Sequence, residues 1–202
     1  MRGANLQDFS KAIDYLLDRH FTVIQIGDNS SQVIPKHRNV IDLTKYNDFA
    51  IQLYSLSKAK FHVGTQSGPS TLAHFLGTPV IQSNTTAIGR NLFTASEFSI
   101  YLPKKVFKEK RELALSEILS QPVAYAETLG LKKYRYILRD NSSDEILDAV
   151  IDMINLQEDR MSKTELQEVN NPVGIIQKNF KAIGKGNLAP SFIEKNRDWL
   201  SI

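Results

Sequence analysis

The sequence predicts an α/β fold in which helices flank a mainly parallel, Rossmann-like sheet. Helical and extended patterns alternate along the chain, as they do in proteins built from layered βαβ units. The segment over residues 60–84, KFHVGTQSGPSTLAHFLGTPVIQSN, contains in order a strand, a Gly/Ser-rich turn, a short helix and a second strand. The chain has 202 residues, of which 42% are hydrophobic, and it can therefore bury the core of one large domain.

The N-terminal part of the chain predicts a helix, two strands and a second helix. Residues 21–26 and 40–43 are short β-branched runs typical of strands, and residues 49–59 carry apolar residues at helical spacing. A doubly wound sheet normally opens with a strand, whereas this chain opens with a helix, so we expect it to be part of a longer protein. The apolar stripe of that first helix, between residues 5 and 19, consists of Leu6, Phe9, Ile13, Leu16 and Leu17.

The central segment predicts a strand that passes directly into a helix. Phe61 begins the strand, and Gly64 is expected to end it. Ser67 is a favourable N-cap residue, and Pro69 suits the first helical turn, where its missing N–H is not needed. Residues 77–79, Gly-Thr-Pro, should end the helix before the next strand begins. The core residues expected around the sheet are Val23, Ile24, Ile26, Phe61, Val63, Leu72, Val80 and Ile81.

The start of this helix is a candidate phosphate site. A helix N-terminus carries a partial positive charge and unpaired N–H groups, and Gly68 permits a close approach by a ligand. Parallel α/β sheets bind ligands at the carboxyl ends of their strands, where Gly27, Asp28 and residues 84–86 also lie in the predicted fold. Two alternatives stay open: the motif is an ordinary capped turn, and Asp28 starts a turn instead of accepting a hydrogen bond from a ligand hydroxyl.

The second half of the chain predicts further strands and helices. Residues 84–94 predict a polar loop followed by a weak helix, and residues 99–102 predict a strand. Residues 112–119 should be helical and residues 134–138 extended. A longer helix should start within residues 140–145, and its apolar face consists of Ile146, Val150, Ile151 and Ile154.

The C-terminal part predicts an extension that packs on the first domain. Asn-Asn-Pro at residues 170–172 and Gly-Lys-Gly at residues 184–186 should interrupt a charged helix. Residues 190–200 carry Phe, Ile, Trp and Leu side chains and should dock on a surface. We therefore expect a Rossmann-like domain over residues 1–169 and a helical extension over residues 170–202.

Composition limits the location and the partners of the chain. The sequence lacks cysteine, which excludes disulfides and thiolate metal sites and fits a cytoplasmic protein. No apolar run is long enough to cross a bilayer, and no nucleic-acid-binding module is recognised, so we expect no nucleic-acid partner. The net charge is +3. Two basic clusters predict solvated faces or, alternatively, contact with a polyphosphate or with anionic lipid at the inner face of the membrane: Lys104, Lys105, Lys108, Lys110 and Arg111, and Lys132, Lys133 and Arg135.

The sequence identifies no catalytic residue. His62 lies inside a predicted strand and His74 on a predicted helix face, which favours structural packing for both. No two histidines stand four residues apart with a carboxylate nearby, so no metal site is predicted. Ser67 lies in Thr-Gln-Ser-Gly, which is not the G-x-S-x-G nucleophile elbow of hydrolases.

The central motif, GTQSGPSTLAHFLGTPV, resembles the donor-site motif in the C-terminal half of GT-B glycosyltransferases. It is similar to the heptosyltransferase pattern G-x-D-S-G-P-x-H-x-A-x-x-x-G-x-P, and closer still to a group of bacterial glycosyltransferases. Residues 2–28, 54–84, 103–154 and 188–196 also have counterparts in that group, so the resemblance covers nearly the whole chain. Gln66 replaces the Asp of the pattern and Thr71 replaces its His, so heptose specificity is not implied.

The resemblance implies a donor domain that transfers a sugar from a nucleoside diphosphate to an acceptor hydroxyl, in bacterial surface polysaccharide or glycan synthesis. In the GT-B fold, two Rossmann-like domains face a cleft, and this chain corresponds to the C-terminal half alone. The N-terminal domain, which holds the acceptor and usually the catalytic base, would be missing from this chain. The family needs no cofactor besides the nucleotide-sugar substrate and no obligatory metal.

The resemblance also implies which residues hold the donor. N–H groups of residues 67–70 would stabilise the leaving diphosphate, together with the hydroxyls of Thr65, Ser67, Ser70 and Thr71. The full set of expected donor-binding residues, including those at the other strand ends, is Gly64, Thr65, Gln66, Ser67, Gly68, Pro69, Ser70, Thr71, Gly27, Asp28, Asn84 and Thr85.

Two other functions compete with the transferase. A UDP-sugar 2-epimerase has a similar fold, but it would need an acidic residue soon after the Ser-Gly pair, and the predicted helix offers none. A non-catalytic nucleotide-binding or interaction module, which has lost its partner domain, would share the diphosphate site but catalyse nothing.

Overall fold

The computed structural model of the chain describes residues 5–28, 31–46, 48–86, 88, 98–120, 134–179 and 186–200. The strands are β1 Val23–Gln25, β2 Val40–Asp42, β3 His62–Thr65, β4 Val80–Thr85, β5 Ile100–Pro103, β6 Lys105–Lys108, β7 Arg111–Glu112, β8 Ile137–Arg139 and β9 Asn187–Leu188. A 3-10 helix, Leu6–Phe9, precedes α1 Ser10–Asp18. The other helices are α2 Phe49–Lys58, α3 Gly68–Phe75, α4 Leu115–Leu119, α5 Ser143–Gln157, α6 Lys163–Asn179, α7 Pro190–Lys195 and α8 Arg197–Leu200.

The structure confirms the α/β fold with a parallel, Rossmann-like sheet. Four parallel strands stand in the order β3-β4-β5-β9, and β1 pairs in parallel with β2. A separate sheet of three antiparallel strands has the order β7-β6-β8. In the parallel sheet, Thr65 at the end of β3 stands opposite Ser83 of β4, so the carboxyl ends of both strands meet at one edge.

The hydrophobic core lies around β4, β5 and α5. Val80 and Ile81 are fully buried, as predicted, and so are residues of α5 such as Ile146 and Met153. The C-terminal residues of the described chain dock on this core, as predicted, through Phe192, Ile193, Trp199 and Leu200, which are all buried. None of the described helices is long and apolar enough to cross a membrane.

One core prediction is wrong at the β1–β2 pair. Ile24 was expected inside but is 39% exposed, and its register partner Ile41 is 46% exposed. Partners in a parallel pair share a face of the sheet, so this face of β1 and β2 is open to solvent. The neighbouring Val23 points the other way and is half-buried against the core.

Two strands continue further than the sequence predicts. Gly64 does not end β3, which reaches Thr65, and the polar residues Asn84 and Thr85 belong to β4 instead of following it. The polar run stays in the sheet because its backbone pairs with β3 and β5. The register with β5 shifts between Gln82 and Thr85, where Asn84 has a φ of +55°. Its buried side chains are satisfied by protein partners, for example the Ser83 hydroxyl, which donates to the Gly64 carbonyl at 3.2 Å.

The predicted helix over residues 112–119 begins only at Leu115, because a hairpin of β6 and β7 precedes it. Glu109 and Lys110 connect these strands with φ values of +51° and +69°. Two left-handed residues form the tight turn that suits a two-residue hairpin, but Asn and Gly are its usual signals in a sequence. The predicted strand over residues 134–138 is displaced to β8, which pairs with β6.

The predicted interruption at residues 170–172 is also wrong, since α6 runs through Pro172. Asn170 holds this part of the helix: its side-chain amide donates to the Leu166 and Leu188 carbonyls, each at 3.1 Å, and its Oδ1 accepts from Leu188 N at 2.7 Å. These bonds also place β9 beside β5. Residue 170 thus lies inside a helix, and the division of the chain at residue 169 stays a prediction.

Some predictions fall outside the described residues. They are most of the weak helix within residues 84–94, the basic residues Lys132 and Lys133, and most of the break at residues 184–186.

Candidate functional site

The turn between β3 and α3 has the predicted layout. Ser67 occupies the N-cap position with an extended backbone (φ −146°, ψ 173°), and Pro69 lies in the first helical turn. The Ser67 side chain nevertheless makes no cap hydrogen bond, and its Oγ lies 3.5 Å from the Oγ of Ser70. The first N–H groups of α3 therefore have no side-chain acceptor from their own cap residue.

A hydrogen bond between His62 and the buried Ser70 stabilises the turn. The Ser70 hydroxyl is fully buried and donates to the Thr65 carbonyl at 2.6 Å. Because its one proton is used there, Ser70 Oγ accepts from His62 Nε2–H, 3.1 Å away. Burial, and to a smaller extent the nearby His74, lower the pKa of His62 to about 4, so the imidazole is neutral at neutral pH.

Gly64 is required by this contact. A Cβ on Gly64 would lie 2.8 Å from His62 Nε2 and 3.1 Å from Ser70 Oγ, which is too close for either atom to keep its position. Gly68 is different, because a Cβ there would meet nothing within 4 Å and the residue is exposed. The space beside Gly68 at the start of α3 is thus open to solvent.

The hydroxyls of Ser70 and Thr71 stabilise the turn itself. Thr71 Oγ1 donates to the Ser67 carbonyl at 3.1 Å, while Ser70 donates to Thr65. Both protons are directed to main-chain oxygens, so the expected donation of these two hydroxyls to a diphosphate is not seen in this arrangement. The backbone N–H groups at the start of the helix are the donors that the turn leaves available.

The side-chain amide of Gln66 adds a further hydrogen-bond donor to the turn. Its Oε1 accepts from Thr86 N at 3.4 Å and from Thr86 Oγ1 at 3.2 Å. A backbone N–H can only donate, so the oxygen of the Gln66 amide must face Thr86 and the NH₂ group must face away. Among the described residues, this NH₂ group has no acceptor.

Asn84 and Thr85 lie at the same edge of the sheet but are buried. Asn84 N donates to Asn141 Oδ1 at 2.6 Å, and Asn141 N donates to Asn84 Oδ1 at 2.7 Å. The Thr85 hydroxyl donates to the Gln82 carbonyl at 3.0 Å. The structure therefore gives both side chains partners within the protein, and their role in donor binding stays a prediction.

Gly27 and Asp28 follow β1, at the carboxyl end of the two-stranded sheet. Gln52 of α2 holds this bend: its Oε1 accepts from Gly27 N at 3.1 Å, and its Nε2 donates to the Gly27 carbonyl at 2.9 Å. The Asp28 side chain is exposed, and its carbonyl accepts from Ser31 N at 3.0 Å, as in a turn. The structure thus joins residues 64–71 to residues 83–86, whereas Gly27 and Asp28 follow a strand of a different sheet.

The start of α3 is open to solvent at Gly68. A pocket of about 160 Å³ lies elsewhere, between α5 and α7, where Lys195 forms an ion pair with Asp148 at 2.6 Å. Within the ranges that the structure describes, no group of three or more His, Cys, Asp or Glu side chains could hold a metal ion.

Comparison of the chain with protein-family models, curated proteins and solved structures found no match. The functional interpretation therefore rests on the motif and on the geometry of the turn. Sequence reasoning located this turn but missed the bonds of Gln66 with Thr86 and of Ser70 with His62. Their spacings of 20 and 8 residues follow no local pattern that a sequence could display.

Proposed function

We propose that this chain is the donor-binding half of a GT-B glycosyltransferase, and that the β3–α3 turn binds the diphosphate of a nucleotide-sugar. The observation that carries the proposal is the start of α3, which has no side-chain cap and opens to solvent above Gly68. The partial positive charge of a helix N-terminus and its unpaired N–H groups suit a phosphate. The NH₂ group of Gln66 supplies two further donors.

The chemistry would be transfer of a sugar to an acceptor hydroxyl. The acceptor oxygen bonds to the anomeric carbon, the bond from that carbon to the diphosphate oxygen breaks, and the hydroxyl proton passes to a base. Negative charge grows on the leaving diphosphate, and the donors of the turn would stabilise it there. The biological role would be the synthesis of a bacterial surface polysaccharide or another glycan.

The base would come from outside the turn. His62 is the one titratable side chain of residues 62–71, and it is held against Ser70 with a pKa lowered to about 4. Because its Nε2–H donates to the Ser70 hydroxyl and its pKa is this low, His62 is a poor general base for an acceptor hydroxyl. We therefore expect the purified chain to lack efficient transferase activity and to need an acceptor-binding N-terminal domain, as well as its nucleotide-sugar.

Binding and turnover are tested separately. UDP, GDP and ADP are titrated by calorimetry into the parent chain and into Gly68→Val, whose Cβ meets no protein atom within 4 Å and whose side chain would occupy the open space. The parent should bind one of the three, and Gly68→Val should bind it at least about tenfold more weakly. Robust sugar transfer by the purified chain with any nucleotide-sugar would refute the assignment of the base to another domain.

A non-catalytic nucleotide-binding module is the second candidate, favoured by the absence of a free titratable side chain within residues 62–71. The two functions differ once an acceptor-binding domain is supplied. If the coding sequence upstream of Met1 adds such a domain, the longer polypeptide should transfer sugar, whereas a module should still only bind. An epimerase is less compatible, since the first turn of α3 contains no acidic residue.

A further inference from the structure

The antiparallel sheet of β6, β7 and β8 has one buried and one exposed face. The register pairs Val106 with Leu138, and Val106 is only 5% exposed, so this face packs on the core. The alternate pair of Phe107 and Ile137 lies on the other face, where Ile137 is 62% exposed. The exposed branched side chain of Ile137, at the start of β8, thus marks the outer face.

Cations surround this apolar pair. Arg139 shares the outer face, and its guanidinium lies 5.6 Å from the centre of the Phe107 ring. Lys110 stands in the β6–β7 turn, and Arg135 lies two residues before β8. We define the basic outer face as these residues together: Phe107, Lys110, Arg135, Ile137 and Arg139.

The cations of the basic outer face differ from their neighbours in having no carboxylate partner. Lys105 is paired with Glu112 at 3.5 Å, and Arg111 with Glu117 at 2.6 Å. In the described part of the chain, by contrast, Lys110, Arg135 and Arg139 form no ion pair. Among the described residues nearby, Glu109 at the tip of the hairpin is the one carboxylate that is also unpaired, so positive charge is in excess.

We propose that the basic outer face binds the surface of an anionic lipid bilayer. Unpaired cations near such a surface are attracted to the headgroups, and an exposed apolar side chain between them can enter the interface. A soluble polyanion would use the same cations but would gain nothing from Ile137. This inference does not depend on the proposed donor site, which lies at the edge of the four-stranded parallel sheet.

Vesicle sedimentation tests the proposal. The parent chain should sediment with vesicles of phosphatidylcholine that contain about one third phosphatidylglycerol, should not sediment with pure phosphatidylcholine, and should be released by high salt. The double variant Arg135→Gln with Arg139→Gln should lose at least about tenfold in partitioning. The control, Lys36→Gln with Arg38→Gln, removes the same charge from exposed positions elsewhere and should bind as the parent does.

The variant Ile137→Ser separates lipid from a soluble polyanion. It should weaken binding to the anionic vesicles about threefold or more, and leave retention on immobilised polyphosphate unchanged. Circular dichroism of each variant verifies the fold. The proposal is overturned if the parent does not sediment with anionic vesicles, or if the control loses as much partitioning as the double variant. It is also overturned if Ile137→Ser leaves vesicle binding unchanged, which would indicate a site for a soluble polyanion.

Discussion

Acidification should destabilise this protein through His62. Histidine has an ordinary pKa of 6.5, and burial in the β3–α3 turn lowers the pKa of His62 to about 4. Between these values the unfolded chain binds a proton that the folded chain excludes. The stability that depends on a neutral His62 is therefore complete above pH 6.5, falls as the pH decreases through this window, and is lost near pH 4.

The expected loss follows from the two pKa values. Between about pH 7.5 and about pH 5, the free energy of unfolding should decrease by about 2 kcal/mol through this residue alone, and the full loss near pH 4 approaches about 3 kcal/mol. His74 is also buried, and burial lowers its pKa in the same direction. Its contribution adds to the pH dependence of every variant that keeps it.

Urea unfolding of parent and variant isolates the contribution of His62. His62→Gln keeps an N–H donor for Ser70 but cannot titrate, so its free energy of unfolding should depend on pH less steeply than that of the parent, by about 2 kcal/mol at about pH 5. The control is His20→Asn, which removes an exposed histidine and suits its positive φ of 64°. If parent and His62→Gln lose the same stability on acidification, His62 is not the buried neutral base described here.

Two substitutions test other bonds near the turn. Gln66→Glu keeps an oxygen for Thr86 but replaces the NH₂ group by a charged oxygen. Its affinity for a nucleoside diphosphate, measured by calorimetry, should therefore fall at least about tenfold while the fold is unchanged. An unchanged affinity would exclude Gln66 from the site. Asn141→Ala leaves the buried Asn84 N–H and Pro103 carbonyl unsatisfied and should cost about 2 to 4 kcal/mol in urea unfolding. Asn155→Ala removes an amide from α5 that makes no side-chain hydrogen bond to a described residue, and an equal loss there would contradict this reasoning.

Local signals in the sequence were sufficient for the strand–turn–helix segment and for the start of α5. Pro69 and the Gly-Thr-Pro at residues 77–79 act within a few residues of the boundaries they set. Ser142 and Glu145 likewise form a reciprocal capping box at α5: Glu145 N donates to Ser142 Oγ at 3.2 Å, and Ser142 N donates to Glu145 Oε2 at 2.8 Å. Such elements are predictable because their cause is local.

Elements that depend on distant partners were not predictable. The polar end of β4 stays in the sheet because its backbone pairs with β3 and β5 and because Asn84, whose φ is +55°, bonds to Asn141, 57 residues away. Helix α6 contains Pro172, and beside it Asn170 bonds to Leu188, 18 residues away in β9. Neither tertiary hydrogen bond is visible in the local sequence.

The candidate site likewise combines features with local causes and features that depend on distant partners. The position of Ser67 at the helix start was predictable, but the direction of its side chain was not, and neither was the orientation of the Gln66 amide. Both depend on which partner atoms the folded sheet brings close. The candidate groups for donor binding with the strongest geometric support are the main-chain N–H groups near Gly68 and the NH₂ group of Gln66.

The most direct measurement for the donor-site proposal is titration of nucleoside diphosphates into parent, Gly68→Val and Gly174→Val, with circular dichroism as the control for the fold. Both glycines have open space at the Cβ position, and Gly174 lies in α6, away from the turn. If the β3–α3 turn holds the diphosphate, Gly68→Val should lose at least about tenfold in affinity, while Gly174→Val should bind as the parent does. If folded Gly68→Val binds as tightly as the parent, the diphosphate site lies elsewhere and the motif is only the start of a helix.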